Sequence, residues 1–282
     1  MIYSIHNKEL TASISDLGAE LVSVAFRGSE RLWQNENGAW SGHAPILFPF
    51  CGRCRMVLGG EDYGSGFHGF ASKEAFACVR KDETSACFLL TDNEQTKKQY
   101  PFAFAFFVEY AVCGSQLSIT YRVENRSQST MYFACGAHDS FALASEVTDY
   151  ALEFPKSERF LYQLHDDSGR LTGRTEDHGS GTLLPLENRD PSVGDTVILK
   201  DIQSDSVFLT ERKSEKRLAS IEFPGFSNLL LWHPKGSRMI CIEPWQNLPD
   251  DADKSPEFTA KPGIQKLQPS AQTSYTRTIR YY

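Results

Sequence analysis

Alternation with a period of two dominates this chain and narrows what it can fold into. In QLSITYRVEN (116–125), Leu117, Ile119, Tyr121 and Val123 occupy every second position. Successive side chains of a strand point to opposite faces, so these four share one face. LTASISDLG, AELVSVAFRG, ACFLLTD, FAFAFFVEYAVCG, ASIEFPG, LLLWHP and RMICIEPW are likewise rich in β-branched or aromatic residues, and Gly, Pro, Asn, Asp or Ser bounds each run. One short helix is expected near NEQTKKQYP (93–101), stopped by its proline. The glycine-rich, polar stretch DDSGRLTGRTEDHGSGT (166–182) reads as a surface loop or hairpin. The expected class is all-β, a large and mainly antiparallel β-sandwich. No repeat, linker or low-complexity tract divides the chain, so residues 1–282 are read as a single domain, long enough to bury a substantial core.

Bulk properties exclude some functions. The net charge is −7 and no Lys/Arg-rich run stands out, which argues against nucleic acid as a partner. The first residues, MIYSIHNKEL, lack a basic stretch followed by an apolar core, and PILFPFC falls far short of a membrane span. A cytoplasmic protein with no membrane partner is therefore expected. The seven cysteines suit reduced, mostly buried thiols. Cys51 and Cys54 form CGRC, a spacing that fits a redox pair, and Arg53 could lower a thiol pKa. No helix within a βαβ unit surrounds them, so thiol chemistry is a minor expectation.

Four segments set polar groups in apolar surroundings. APILFPFCGR ends on Arg53, FHGFAS carries His68, GAHDSF carries His138, and CIEPW carries Glu243 followed by Trp245. Each has an ordinary explanation: Arg53 as an ion-pair residue, His68 as a turn cap, His138 as a satisfied structural histidine, Glu243 as a solvated strand end, Trp245 as core. Charged residues are seldom fully buried unless paired, however, and four such places suggest a shared cavity. Two histidines and a carboxylate could also form a metal triad, but the helical HExxH spacing is missing and no metal site is expected.

Taken together, APILFPFCGR, HGFAS, YPFAFAFFVEY, YRVENRS, GAHDSF, FPGFSNLLLW and CIEPW resemble the aldose 1-epimerase (galactose mutarotase-like) superfamily, in its bacterial lactose-operon X-protein-like branch. The resemblance runs from about residue 20 to residue 280. It implies a large β-sandwich with a sugar groove on a concave face. It also implies a cofactor-independent isomerase that interconverts the α and β anomers of an aldohexose, with a small-molecule sugar or its phosphate as partner. Hexose-6-phosphate 1-epimerase activity and sugar binding without catalysis are the alternatives. By the same resemblance Glu243 is the general base, His138 the general acid and His68 the second histidine near the ring oxygen. Arg53 binds substrate hydroxyls, as does Asp195, while Phe70 and Trp245 offer apolar surface. GAHDSF departs from the family in Ala137 and Asp139, and His43 stands where relatives often carry arginine, which weighs against a phosphorylated substrate. The oligomeric state is left open.

Overall fold

The computed structural model describes residues 1–187, 196–254 and 257–282. Among these, thirteen strands build the main sheet. From one edge the order is Asp139–Ala142, Met239–Trp245, Asn228–Trp232, Val197–Leu199, Tyr150–His165 and Ser206–Glu211. It continues through Arg217–Glu222, Gln272–Tyr281, Gln116–Asn125, Phe104–Cys113 and Ser85–Thr91 to Ala77–Lys81. The thirteenth strand, Leu171–Pro185, pairs with Tyr150–His165 off this path. Each of these pairings is antiparallel. A four-stranded sheet (Ile2–His6, Leu10–Ser15, Leu21–Phe26, Ser29–Glu30) packs against Ser85–Thr91 and Phe104–Cys113, and closes the sandwich.

The period-two stretch behaves as its pattern requires. Gln116–Asn125 alternates between part-buried and buried positions, and Leu117, Ile119, Tyr121 and Val123 are 0% exposed. Burying each such apolar side chain is worth about 1.5–3 kcal/mol, and a one-residue slip would turn all four outward. That penalty fixes the register against both neighbouring strands. Behind them Phe48, Phe104, Phe106, Tyr100 and Phe133 form a continuous aromatic core, with the Phe48 and Phe106 rings stacked at 4.4 Å.

The expected helix is Glu94–Gln99. Asn93 caps it by accepting from the backbone N–H groups of Gln95 and Thr96, while the Thr96 hydroxyl accepts from the Asn93 N–H. The polar stretch 166–182 forms the turn and most of the outer strand of a hairpin. Asp166 organises the turn by accepting from the Ser168 and Arg170 N–H groups. Sequence patterning did not foretell the partner strand Tyr150–His165. Pro155 interrupts it, and the ladder shifts register between Glu153 and Glu158 around that missing donor.

No helix among the described residues is long and apolar enough to cross a membrane.

Candidate active site

Two edge strands create the centre of the site. Asp139–Ala142 pairs with Met239–Trp245, opposing Asp139 to Ile242. His138, just before the first strand, and Glu243, within the second, consequently reach the same space. Nε2 of His138 lies 3.5 Å from Oε2 of Glu243, with side-chain exposures of 11% and 2%. The segment before His138 is pinned on both sides, because Gly136 bridges to Leu47 and to Trp245. A Cβ on Gly136 would stand 2.5 Å from Cys51 Sγ, so only glycine fits there.

His68 enters from a separate loop in a left-handed conformation (φ +63°), followed by Gly69 at φ +70°. A Cβ on Gly69 would sit 2.1 Å from the Phe48 carbonyl oxygen, which instead accepts from the Phe70 and Ala71 N–H groups. The His68 Nδ1 accepts from the Gly52 N–H at 3.1 Å. Its proton therefore resides on Nε2, which leaves a neutral imidazole with one N–H to give. The rings of His68 and His138 meet edge to face at 5.6 Å.

These side chains open into a cleft of about 490 Å³ whose walls include Trp40, Phe67, Lys73, Thr196, Trp232 and Trp245. Trp40 stacks on His138 at 5.1 Å and Trp232 meets it edge-on at 5.9 Å. Trp245 is 3% exposed, and its indole N–H donates to the Ala137 carbonyl at 3.1 Å. The cleft thus joins apolar ring walls to a convergent set of polar groups (His68, Ser72, Lys73, His138, Thr196 and Glu243), a lining suited to a small polyhydroxylated ring.

Burial shifts the charges of the pair. Desolvation, reinforced by the nearby Asp139 carboxylate, holds the Glu243 carboxyl well above the usual range, against a lowering by the Trp245 side chain. Desolvation lowers His138 to about 4. His68 is pushed well below its ordinary value by burial and by His138, Lys73 and Arg53. Burial thus opposes charge on both members of the pair and favours the form with a neutral imidazole and a protonated carboxyl. Behind it, Asp139 accepts from Arg277 Nη1 at 2.7 Å and both are about 1% exposed. Arg277 Nη2 also donates to the Tyr121 hydroxyl at 3.2 Å.

The structure thus brings His138, Glu243, His68 and Trp245 to one cleft. Arg53 lies outside its lining: the guanidinium rests over the Phe67 ring at 5.3 Å, and Nε donates to the Ser168 carbonyl at 3.1 Å. Phe70 is a correction to the sequence reading. It is 4% exposed and packs into the core against Phe48, Tyr100 and Phe104, because the left-handed turn at His68–Gly69 sends the next side chain inward. Phe67 takes the wall position. Asp195 lies outside the described residues; its neighbour Thr196 lines the cleft. Trp40, Trp232 and Lys73 were missed. The signals were the tryptophans in GAWSG and LLLWHP and the lysine after HGFAS. Cys51 and Cys54 are free and buried; burial raises both thiols, Cys54 to about 12, which is contrary to a reactive redox pair.

Known proteins share this sequence pattern and this fold. The profile of the family described as aldose 1-epimerase matches residues 1–257. The chromosomal Protein LacX of Lactococcus lactis subsp. lactis is 30% identical over 310 aligned positions, covering 99% of both chains. A galactose mutarotase related enzyme from Lactobacillus acidophilus superposes with a TM-score of 0.88 at 29% identity, over 100% of this chain and 97% of the other. A galactose mutarotase-like protein from Lactobacillus casei ATCC 334 gives a TM-score of 0.90 at 26% identity, over 100% of both.

Proposed function

The chain belongs to the aldose 1-epimerase family, and from that premise we propose that it interconverts the α and β anomers of an aldohexose by opening and reclosing the pyranose ring. The observation that carries this reading is the buried His138–Glu243 pair, 3.5 Å apart, at the floor of a sugar-sized cleft. A protein that only binds sugar needs no such pair.

Ring opening removes the O1 proton and delivers a proton to O5. Glu243 acts as base on O1–H and His138 as acid toward O5; each such transfer contributes about 10²–10⁴-fold. Opening begins from the ionised form of the pair, which the sugar stabilises by donating O1–H to the carboxylate and accepting from the imidazolium. It ends with a neutral carboxylic acid and a neutral imidazole. Burial favours that second form, so desolvation drives proton movement in the direction of opening. His68, neutral with its N–H on Nε2, donates to the sugar near the ring oxygen without competing for the catalytic proton. The free aldehyde then turns about C1–C2 and the same groups run in reverse, so the cycle consumes nothing and this chemistry calls for no cofactor. Trp40, Trp232 and Trp245 hold the apolar faces of the ring, while Thr196, and Asp195 beside it, serve distal hydroxyls. Arg53 reaches the sugar only by leaving Phe67, in the role of a rim residue.

A free hexose is preferred over its phosphate. Among the described lining residues Lys73 is the one side chain cationic at neutral pH, since the histidines are neutral, and a phosphate dianion is ordinarily held by several basic groups. The test is polarimetric relaxation of freshly dissolved α-D-glucose and α-D-galactose with wild type and Glu243→Gln, alongside a coupled assay with glucose 6-phosphate. Acceleration by wild type that is lost in Glu243→Gln is expected. Sugar binding without acceleration of any of the three would replace catalysis with binding.

A further inference from the structure

We propose that the floor of this cleft is also a binding site for a thiophilic divalent ion of the Zn²⁺ class, built from His138, Glu243 and Cys241, and that its occupation switches the enzyme off. The ligand atoms of these three residues all lie within 4.8 Å of one another, and this is the one such grouping of three among the described residues. Cys241 takes no part in the proton transfers described above. It reaches the site because it stands two positions before Glu243 in the strand Met239–Trp245, where side chains two apart share a face. Its strand partners Ser140 and Trp232 hold it in register from both sides, and its side chain is 0% exposed.

The donor geometry suits the ion. Zinc bonds of about 2.0–2.3 Å in a tetrahedron set donor atoms roughly 3.3–3.8 Å apart. His138 Nε2 and Glu243 Oε2 already stand at 3.5 Å, and a shift of about an ångström completes the triangle from the 4.8 Å limit. One nitrogen, one sulfur and one oxygen form a mixed set that selects zinc-like ions over magnesium or calcium. Three protein ligands leave a fourth position, and two of the three, His138 and Glu243, line the sugar cleft. A metal at this point engages the base carboxylate and the acid nitrogen together. Binding releases the thiol proton and whatever proton the pair holds. Ion and sugar therefore exclude one another.

The measurement is spectroscopic first, so that it does not depend on the proposed reaction. Chelator-treated protein is titrated with Co²⁺ as a visible analogue. Expected is a thiolate-to-cobalt charge-transfer band in the near ultraviolet that Zn²⁺ bleaches by displacement. Cys241→Ser and Cys241→Ala, each checked for native circular dichroism, should lose the band, whereas replacement of the exposed Cys113 by serine should keep it. In the polarimetric assay Zn²⁺ should inhibit competitively with sugar and EDTA should restore activity. Cys241→Ser should weaken that inhibition by at least about tenfold, since even the outer partners of a metal ligand are worth 10–100-fold in affinity. Its activity in EDTA should stay within twofold of wild type. No band in wild type, or a band that survives in both Cys241 variants, overturns the site. A band lost as expected, without any zinc effect on turnover, overturns the switch. Absence of mutarotation altogether with an intact band would refute the proposed function and leave the metal site standing.

Discussion

Asp139 accepts from Arg277 at 2.7 Å with both side chains about 1% exposed, directly behind His138. Such a pair is a weak source of net stability, because desolving two charges offsets most of their attraction, but breaking it from one side strands a buried charge. Asp139→Asn is expected to lower unfolding stability by about 3–5 kcal/mol, and the paired apolar replacement Asp139→Leu with Arg277→Met to regain most of that loss. Urea unfolding of the three variants measures both.

Glu243→Gln should lose activity and gain stability above pH 5. The folded-state carboxyl titrates well above its ordinary value, so the native protein binds the proton more tightly than the unfolded chain does. That contribution is complete below the unfolded pKa of about 4.3 and fades as pH rises through the folded value. The amide resembles the protonated acid at every pH. Melting temperatures of wild type and variant should thus coincide near pH 4 and diverge in favour of the variant toward pH 8. A variant less stable than wild type at pH 8 would show that the carboxylate is stabilised rather than strained.

The same directions shape the rate profile. Activity requires the pair to carry a single proton. With His138 lowered to about 4 and Glu243 raised, kcat/KM should climb through about pH 4 and fall only once pH exceeds the raised glutamate value. A profile that instead rises through pH 6.5 would assign the essential ionisation to an unshifted histidine. Polarimetry across pH 3.5–9 separates the two cases.

At the His68–Gly69 turn, backbone and chemistry can be tested apart. Gly69→Ala places a Cβ against the Phe48 carbonyl at 2.1 Å in a left-handed conformation, which by itself costs ~1–2 kcal/mol. It should melt several degrees lower and lose activity. His68→Asn, by contrast, keeps a residue type that tolerates this conformation, so it should fold normally while kcat/KM drops at least about tenfold through loss of the Nε2–H donor. Thermal melts and initial rates on the same preparations distinguish them.

Strands with strict alternation, Gln116–Asn125 foremost, were legible because one buried face enforces the period. Met239–Trp245 was legible for another reason: it is buried at every position, a continuous apolar run broken by one glutamate, and that exception marked the site. What the sequence hid is set by distance along the chain. Nothing local to Asp139 indicates Arg277, which arrives from Gln272–Tyr281 across the sheet. Phe70 was misread because the left-handed turn at His68–Gly69 sends Phe70 inward and leaves Phe67 outside, and the positive φ of a histidine is invisible in its letter. Trp40 was missed because its partners, His138 and Trp232, are remote in sequence.

The acid and the base are joined through neighbouring strands at a sheet edge, yet they stand at positions 138 and 243 of the chain. Closing so long a loop costs entropy before any contact repays it, and sheets dominated by remote pairings fold slowly. A ribosome that has released His138 has still to deliver Met239–Trp245 before the histidine meets its carboxylate. In the interval the edge strand Asp139–Ala142 is open to any other strand that can pair with it. Catalytic competence in this molecule is therefore a late event in biosynthesis, because both the strand that completes the active site and Gln272–Tyr281, which brings Arg277 behind it, lie in the last part of the chain.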